Sequence, residues 1–165
     1  MAYPLQPLLS VRAFREDNAK AAVSAAEVAV QQAEAEAAYR RKELVQYLDW
    51  LPEEKERRYC DIMGKEMSLA DLDAFKAGLA ALDAGVLTRE DAVQEADKNM
   101  EKRKAELHAA QAALAAARKE KMKIEMHRDV WNLAAAKEAE RATELELEDF
   151  IPKEVLKLPG HEEDD

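Results

Sequence analysis

The feature that most constrains this chain is a heptad repeat of apolar residues that runs through nearly all of its length. Steps of alternately four and three residues from Ala19 to Leu51 meet an apolar side chain at nine of ten positions. The same test from Leu72 to Leu145, starting with a step of three, meets an apolar residue at seventeen of 22 positions. Such a repeat puts its apolar residues on one face of a helix and favours packing against a second helix. The pattern therefore predicts two long helices.

The composition is consistent with helices and disfavours a β-sheet. Alanine accounts for 33 of the 165 residues and charged residues for 36%, whereas there are only 4 glycines and 5 prolines. Sheets need tight turns, and the residues that form them are scarce here. The alanines in the repeat also allow two helices to approach closely. We therefore expect an all-α fold.

The segment between the two repeats has the features of a helix end followed by a helix start. Gly64 suits the position after a helix C-terminus, and Ser68 with Asp71 three residues later suits an N-terminal cap. We place the bend at residues 63–68, which gives helices over 5–62 and 69–148. Residues 1–150 are thus predicted to form a long antiparallel two-helix coiled-coil hairpin, and residues 151–165 an irregular acidic tail.

Two positions near the bend leave a second arrangement open. Pro52 removes a backbone donor and favours a kink or a restart of the first helix. Gly85 followed by Thr88 resembles a helix stop and a new cap. The tip of the hairpin is then either a smooth bend with kinks or a set of several short helices.

The charge distribution narrows the class of partner. The net charge is −10, and the residues from Glu138 onward contain 11 acidic and 3 basic residues, a net −8. An acidic surface repels phosphate backbones and anionic membranes, so we expect no nucleic acid. No apolar run approaches the roughly 18 residues that a membrane span requires, so we expect no membrane insertion. The first residues lack the basic segment of a secretory signal, and the single cysteine, Cys60, is typical of a reducing compartment. The expected location is cytoplasmic.

The chain lacks the motifs of common catalytic and metal sites. It has no glycine-rich phosphate loop, no HExxH and no CxxC, and His108, His127 and His161 are far apart in sequence. A slim helical pair also lacks a concave site in which a substrate could be desolvated. We therefore expect a protein that is not an enzyme, with no catalytic, cofactor-binding or metal-binding residues.

Two segments, residues 3–15 and 118–131, differ from the alanine, glutamate and lysine background, and the hairpin brings them to the same end. We expect them to form a partner-binding patch, because Trp, Tyr and Arg are enriched at interface hot spots. Two alternatives stay open: the first segment folds onto the hairpin as a cap, and Trp131 is the last large residue of the packed face. From His127 onward we expect the second helix to extend past the first. The candidate partner-binding residues are Leu5, Leu8, Leu9, Arg12, Arg15, His127, Arg128 and Trp131.

The same segments carry a family resemblance. Residues 3–12 read Tyr-Pro-Leu-x-Pro-Leu-Leu-x-Val-Arg and are followed by Arg15, while His127-x-x-x-Trp131 leads into Lys-Glu-Ala-Glu-Arg at residues 137–141. This pattern, with the chain length and the hairpin, resembles the YscO family of type III secretion proteins. The flagellar export protein FliJ is a more distant relative of that family.

The resemblance implies a function as a central stalk that stands in the pore of the hexameric secretion ATPase. It implies that the two end segments face the ATPase and the bend faces the export gate protein, with secretion chaperones as further partners. It also implies a monomer, located at the cytosolic face of the secretion apparatus of a Gram-negative bacterium. Two rival interpretations remain: a coiled coil that self-associates as a parallel dimer or a prefoldin-like clamp, and a chaperone-type binding module that acts without an ATPase.

Overall fold

A computed structural model describes residues 2–150, which form two α-helices and no strand. Helix α1 spans Gln6–Ile62 and helix α2 spans Leu69–Phe150. The two helices pack against each other as a hairpin, so the prediction of an all-α coiled-coil fold is confirmed. The predicted acidic tail, residues 151–165, lies outside the described residues.

The described chain divides into two compact units. One combines the start of the chain through Glu16 with the residues from Ala117 onward; we call it the site unit. The other, Asp17–Ala116, contains the bend; we call it the bend unit. Within the bend unit the helices run antiparallel: Arg41 donates a hydrogen bond to Asp97, whereas Lys55, later in α1, donates one to Asp83, earlier in α2.

The heptad positions form the packed face of both helices. Every position of the first register, from Ala19 to Leu51, is buried or half-buried, as is every position of the second register from Leu72 to Ala135. Arginines and lysines in these registers are half-buried, and Lys121 among them pairs with the carboxylate of Glu16. From residue 136 to 150 every residue is exposed.

The bend has the local chemistry that the sequence predicts. Gly64 adopts a φ of 75°, in the left-handed region that ends helices at glycine. The backbone N–H of Asp71 donates to the Ser68 hydroxyl at 3.1 Å, and the backbone N–H of Ser68 donates to the Asp71 carboxylate at 3.1 Å. These bonds form a reciprocal cap at the start of α2. The Ser68 hydroxyl also donates to the Asp71 carboxylate at 2.7 Å, and this bond, followed by the one from the Ser68 N–H, lowers the pKa of Asp71.

The alternative of several short helices is wrong for the described chain, because α1 continues through Pro52 without a break. Packing on both sides of the proline offsets the lost backbone bond. Leu51 is buried, and Glu54 is buried beneath Arg57 and Arg58, whose guanidinium groups lie 2.7 and 2.8 Å from its carboxylate. Helix stability in proteins comes mostly from such packing and less from local propensity.

Gly85 lies inside α2 and allows a side chain of α1 to approach, so it does not end a helix. The Tyr47 hydroxyl donates to the carbonyl of Leu82 at 2.8 Å. A Cβ atom at position 85 would overlap the Tyr47 hydroxyl oxygen and lie 2.9 Å from its Cζ. Arg89 covers the Tyr47 ring, with its guanidinium carbon 3.8 Å from the ring centroid. The glycine makes room for this aromatic contact.

Candidate partner-binding site

All eight residues that the sequence singles out lie in the site unit, and Tyr3 contacts two of them. The Tyr3 side chain is 7% exposed. Its hydroxyl is hydrogen-bonded to Nδ1 of His127 at 2.8 Å, and its ring centroid lies 5.7 Å from that of Trp131 in an edge-to-face arrangement. Tyr3 thus links the segment before α1 to two residues of α2 that lie four apart on one helical face.

The start of α1 explains how Tyr3 reaches α2. The N–H of Gln6 donates to the carbonyl of Tyr3 at 3.2 Å, which turns the chain just before the helix. Pro4 precedes α1 and Pro7 falls in its first turn, where a missing N–H costs little. The segment therefore folds onto the hairpin, which is the capping alternative that the sequence leaves open.

Because of this cap, α2 begins to extend beyond the first part of the chain later than the sequence predicts. The sequence predicts that α2 is unpaired from His127 onward, whereas Tyr3 extends the contact to Trp131. The reason is that the residues before α1 fold back against α2. Trp131 is half-buried in the packed face, as its alternative interpretation holds, and part of its surface remains exposed.

The predicted residues differ in how accessible they are. Leu9 is buried and belongs to the core of the site unit. The half-buried residues are Leu8, Arg12, Arg128 and Trp131, and the exposed ones are Leu5, Arg15 and His127. Seven of the eight therefore retain surface that a partner can contact.

Ion pairs join the two helices inside the site unit. Glu16 is buried, and its carboxylate lies 2.8 Å from Nζ of Lys121 and 3.5 Å from Nε of Arg118. Arg12 lies 3.8 Å from Glu120, whose pKa is lowered mainly by its hydrogen bond from a lysine on the same helix. A carboxylate inside a unit is tolerated when cations pair with it, so Glu16 has a structural role.

A second set of residues in this unit, which we call the outer apolar faces, is not among the candidates that the sequence singles out. They are large apolar side chains that point away from the other helix, on α1 and on α2. On α2 they are spaced by four, four and three residues, so they share one face. That spacing outside the heptad register is the signal that could have revealed them. The residues, with their exposed fractions, are Val11 (47%), Phe14 (65%), Met122 (57%), Met126 (63%), Val130 (68%) and Leu133 (60%).

Neither metal-binding nor membrane-spanning features occur in the part of the chain that the structure describes. Within residues 2–150 no group of three or more His, Cys, Asp or Glu side chains is placed to hold a metal ion. Neither α1 nor α2 contains a stretch apolar enough to cross a bilayer.

The fold and the site define a class: an all-α helical-hairpin protein with exposed apolar faces on both helices of one unit. The chain belongs to the YscO family of type III secretion proteins, whose family model matches residues 5–153.

Two solved structures resemble the chain over most of its length. The type III secretion protein YscO from Vibrio parahaemolyticus is 25% identical with a TM-score of 0.80, over 88% of this chain and 92% of that one. A YscO homologue from Chlamydia trachomatis is 23% identical with a TM-score of 0.70, over 90% and 91% of the two chains. No curated protein sequence gives a significant match.

Proposed function

We propose that this protein is a non-enzymatic central-stalk component of a type III secretion system, whose site unit docks into the pore of the hexameric secretion ATPase. The family membership gives the secretion context. The observation that supports docking in a pore is the presence of exposed apolar faces on both helices. Exposed apolar patches on a folded protein commonly mark surfaces that a partner covers.

The direction of the outer apolar faces argues for a partner that surrounds the site unit. Val11 and Phe14 each lie two residues from a packed position of α1, and Met122 and Met126 each lie two residues from Ile124 on α2. Residues two apart point to opposite sides of a helix. The two faces therefore look in opposite directions, and a flat partner surface would cover only one of them.

The two faces also lie at the same level of the site unit. Arg12, between Val11 and Phe14, contacts Glu120, which is two residues before Met122. A single ring of subunits could thus contact Phe14 on one side and Met122 on the other. The two faces differ in residues, so subunits on opposite sides would meet different surfaces, which a stalk requires in order to bias them individually.

We also propose a location and further partners for the stalk. The stalk would stand at the cytosolic face of the secretion apparatus in a Gram-negative bacterium, be monomeric when free, and link the ATPase to the export gate protein and to secretion chaperones. The bend unit supplies an exposed surface for such contacts, since Met63 and Leu69 at the bend are 76% and 83% exposed.

The test compares binding to the cognate secretion ATPase for two matched double variants. One carries Phe14→Ser with Met126→Ser on the two outer apolar faces. The control carries Val45→Ser with Leu87→Ser, which are 56% and 63% exposed and lie in the bend unit. All four side chains are exposed, so we expect both variants to keep the helicity of the parent. Burying a large apolar side chain is worth roughly 1.5–3 kcal/mol, so we expect the first variant to bind at least about tenfold more weakly.

The readouts are the dissociation constant, the population of ATPase hexamers and the ATPase turnover. We expect the unmodified protein and the control to raise hexamer population and turnover, and the outer-face variant to lose most of that effect. The proposal would be contradicted if the unmodified protein left hexamer population and turnover unchanged, or if both variants lost binding equally. Sedimentation of the free protein tests the rival: a dimer that the outer-face variant abolishes would favour self-association.

A further inference from the structure

The last part of α2 extends beyond the contacts of the site unit. Residues 136–150, which we call the overhang, are exposed at every position, and α1 begins only at Gln6. The contact of Tyr3 with α2 reaches Trp131, before the overhang starts. The overhang contains six acidic and two basic residues, a net charge of −4. It is a single acidic helix with no packed face of its own.

One side of the overhang is apolar along its whole length. Five residues spaced by three, four, four and three form a stripe on one face of the helix. The two large side chains in it, Leu147 and Phe150, are 64% and 87% exposed. The threonine hydroxyl in the stripe donates to the carbonyl of Ala139 at 2.8 Å, so the helix itself satisfies that polar group. The stripe consists of Ala136, Ala139, Thr143, Leu147 and Phe150.

Acidic side chains border this stripe. Glu140 and Glu144, four residues apart, line a shallow surface groove together with the stripe residues other than Phe150. Glu146 precedes Leu147 on the other side. The small residues at the start of the stripe allow a second helix to approach closely, since helix separation depends on the side chains at the contact. The overhang thus offers an apolar seam with a carboxylate border, which is one half of a two-helix contact.

We propose that the overhang binds a basic amphipathic helix of a partner protein, with apolar residues against the stripe and lysine or arginine against Glu140 and Glu144. Complementary charges along the edge of an apolar seam set the choice and orientation of a partner helix. The overhang of a second copy would place like charges together, and nucleic acid or anionic lipid would be repelled. The inference uses residues outside the outer apolar faces and does not depend on the proposed function.

The test measures binding of two synthetic peptides to the full-length protein. Each peptide has three heptads with leucine at the seam positions; one carries lysine at the flanking positions and the other glutamate. We expect the lysine peptide to bind, the glutamate peptide not to bind, and the amide resonances of Ala139, Thr143 and Leu147 to shift on titration with the lysine peptide. Fluorescence anisotropy of labelled peptide gives the dissociation constant.

Three double variants separate specific docking from general attraction. Leu147→Ser with Phe150→Ser removes the apolar contact, and Glu140→Gln with Glu144→Gln removes the border charges. The control, Val45→Ser with Leu87→Ser, changes two exposed residues of the bend unit. We expect about tenfold weaker binding in each overhang variant and unchanged binding in the control. Absence of binding by the lysine peptide, equal loss in the control, or a dimer that depends on Leu147 would overturn the inference.

Discussion

The same substitution at two glycines of α2 should change stability in opposite directions. Glycine in a helix interior costs about 1 kcal/mol relative to alanine, so Gly→Ala ordinarily stabilises an exposed helix. At position 78 a Cβ atom would meet only Nη1 of Arg58, at 3.1 Å, and the end of that flexible side chain can move. We therefore expect Gly78→Ala to stabilise the protein by up to about 1 kcal/mol.

At position 85 the added Cβ atom meets a side chain that is held in place. Tyr47 donates to the Leu82 carbonyl at 2.8 Å and stacks beneath Arg89. Displacing it loses a hydrogen bond worth about 1 kcal/mol and a cation–π contact of about 0.5–2 kcal/mol. Overpacking costs a further 1–3 kcal/mol. Against a propensity gain of about 1 kcal/mol, Gly85→Ala should destabilise the protein by roughly 1.5–5 kcal/mol.

Thermal and urea unfolding monitored by circular dichroism check both values. For a chain of this size, 1 kcal/mol corresponds to a shift of roughly 2–4 °C in the thermal midpoint. The midpoint should rise for Gly78→Ala and fall for Gly85→Ala. In a Tyr47→Ala background the obstacle is gone, and Gly85→Ala should then stabilise like Gly78→Ala. If Gly85→Ala stabilises the parent protein, the packing argument at Tyr47 is refuted.

Three further predictions follow from particular contacts. Trp131→Ala should lower the free energy of unfolding by about 0.5–1.5 kcal/mol, because it removes the edge-to-face contact with Tyr3; a change near zero in urea unfolding would contradict the cap. Glu54 has its pKa lowered to about 2 by hydrogen bonds from two arginines, so its stabilising effect is present above its ordinary value of 4.5 and is lost as the pH falls toward 2. Unfolding midpoints measured across that interval should fall less steeply for Glu54→Gln than for the parent; equal slopes would refute this assignment. Ser68→Ala should cost about 1 kcal/mol, because it removes the cap on the Asp71 amide; an unchanged denaturation midpoint would show that the cap contributes nothing.

The heptad pattern predicts the architecture well because it reports the packed face directly. Every residue of the registers from Ala19 to Leu51 and from Leu72 to Ala135 is buried or half-buried. The bend was also predictable, since Gly64 and Ser68 each have a local chemical reason for their position. These features depend on residues that are close in sequence.

Features that depend on distant residues were not predictable from local patterns. Gly85 resembles a helix stop in sequence, and only the approach of Tyr47, 38 positions earlier, shows why a glycine lies there. The reach of Tyr3 to Trp131 likewise depends on how the first residues fold back. Matching residues of α1 and α2 outward from the bend therefore places the start of the unpaired part of α2 too early.

The sequence places the eight candidate residues at one end of the hairpin, and the structure contains them in one unit, but the pattern does not distinguish packed from exposed apolar residues near a helix start. Leu9 belongs to the core, while Phe14 and Met126 are exposed and were not singled out. Whether these exposed residues bind a ring remains a prediction.

The most direct test of the central claim is site-specific crosslinking to the cognate secretion ATPase. Cys60 is exposed and is the single cysteine of the chain, so a Cys60→Ser background accepts a photoreactive label at one chosen position. Labels at Phe14 and at Met126, on opposite outer apolar faces, should both give adducts with the ATPase, and the doubly labelled protein should join two ATPase subunits. Adducts from only one of the two faces, or only adducts between copies of this chain, would contradict docking inside a ring.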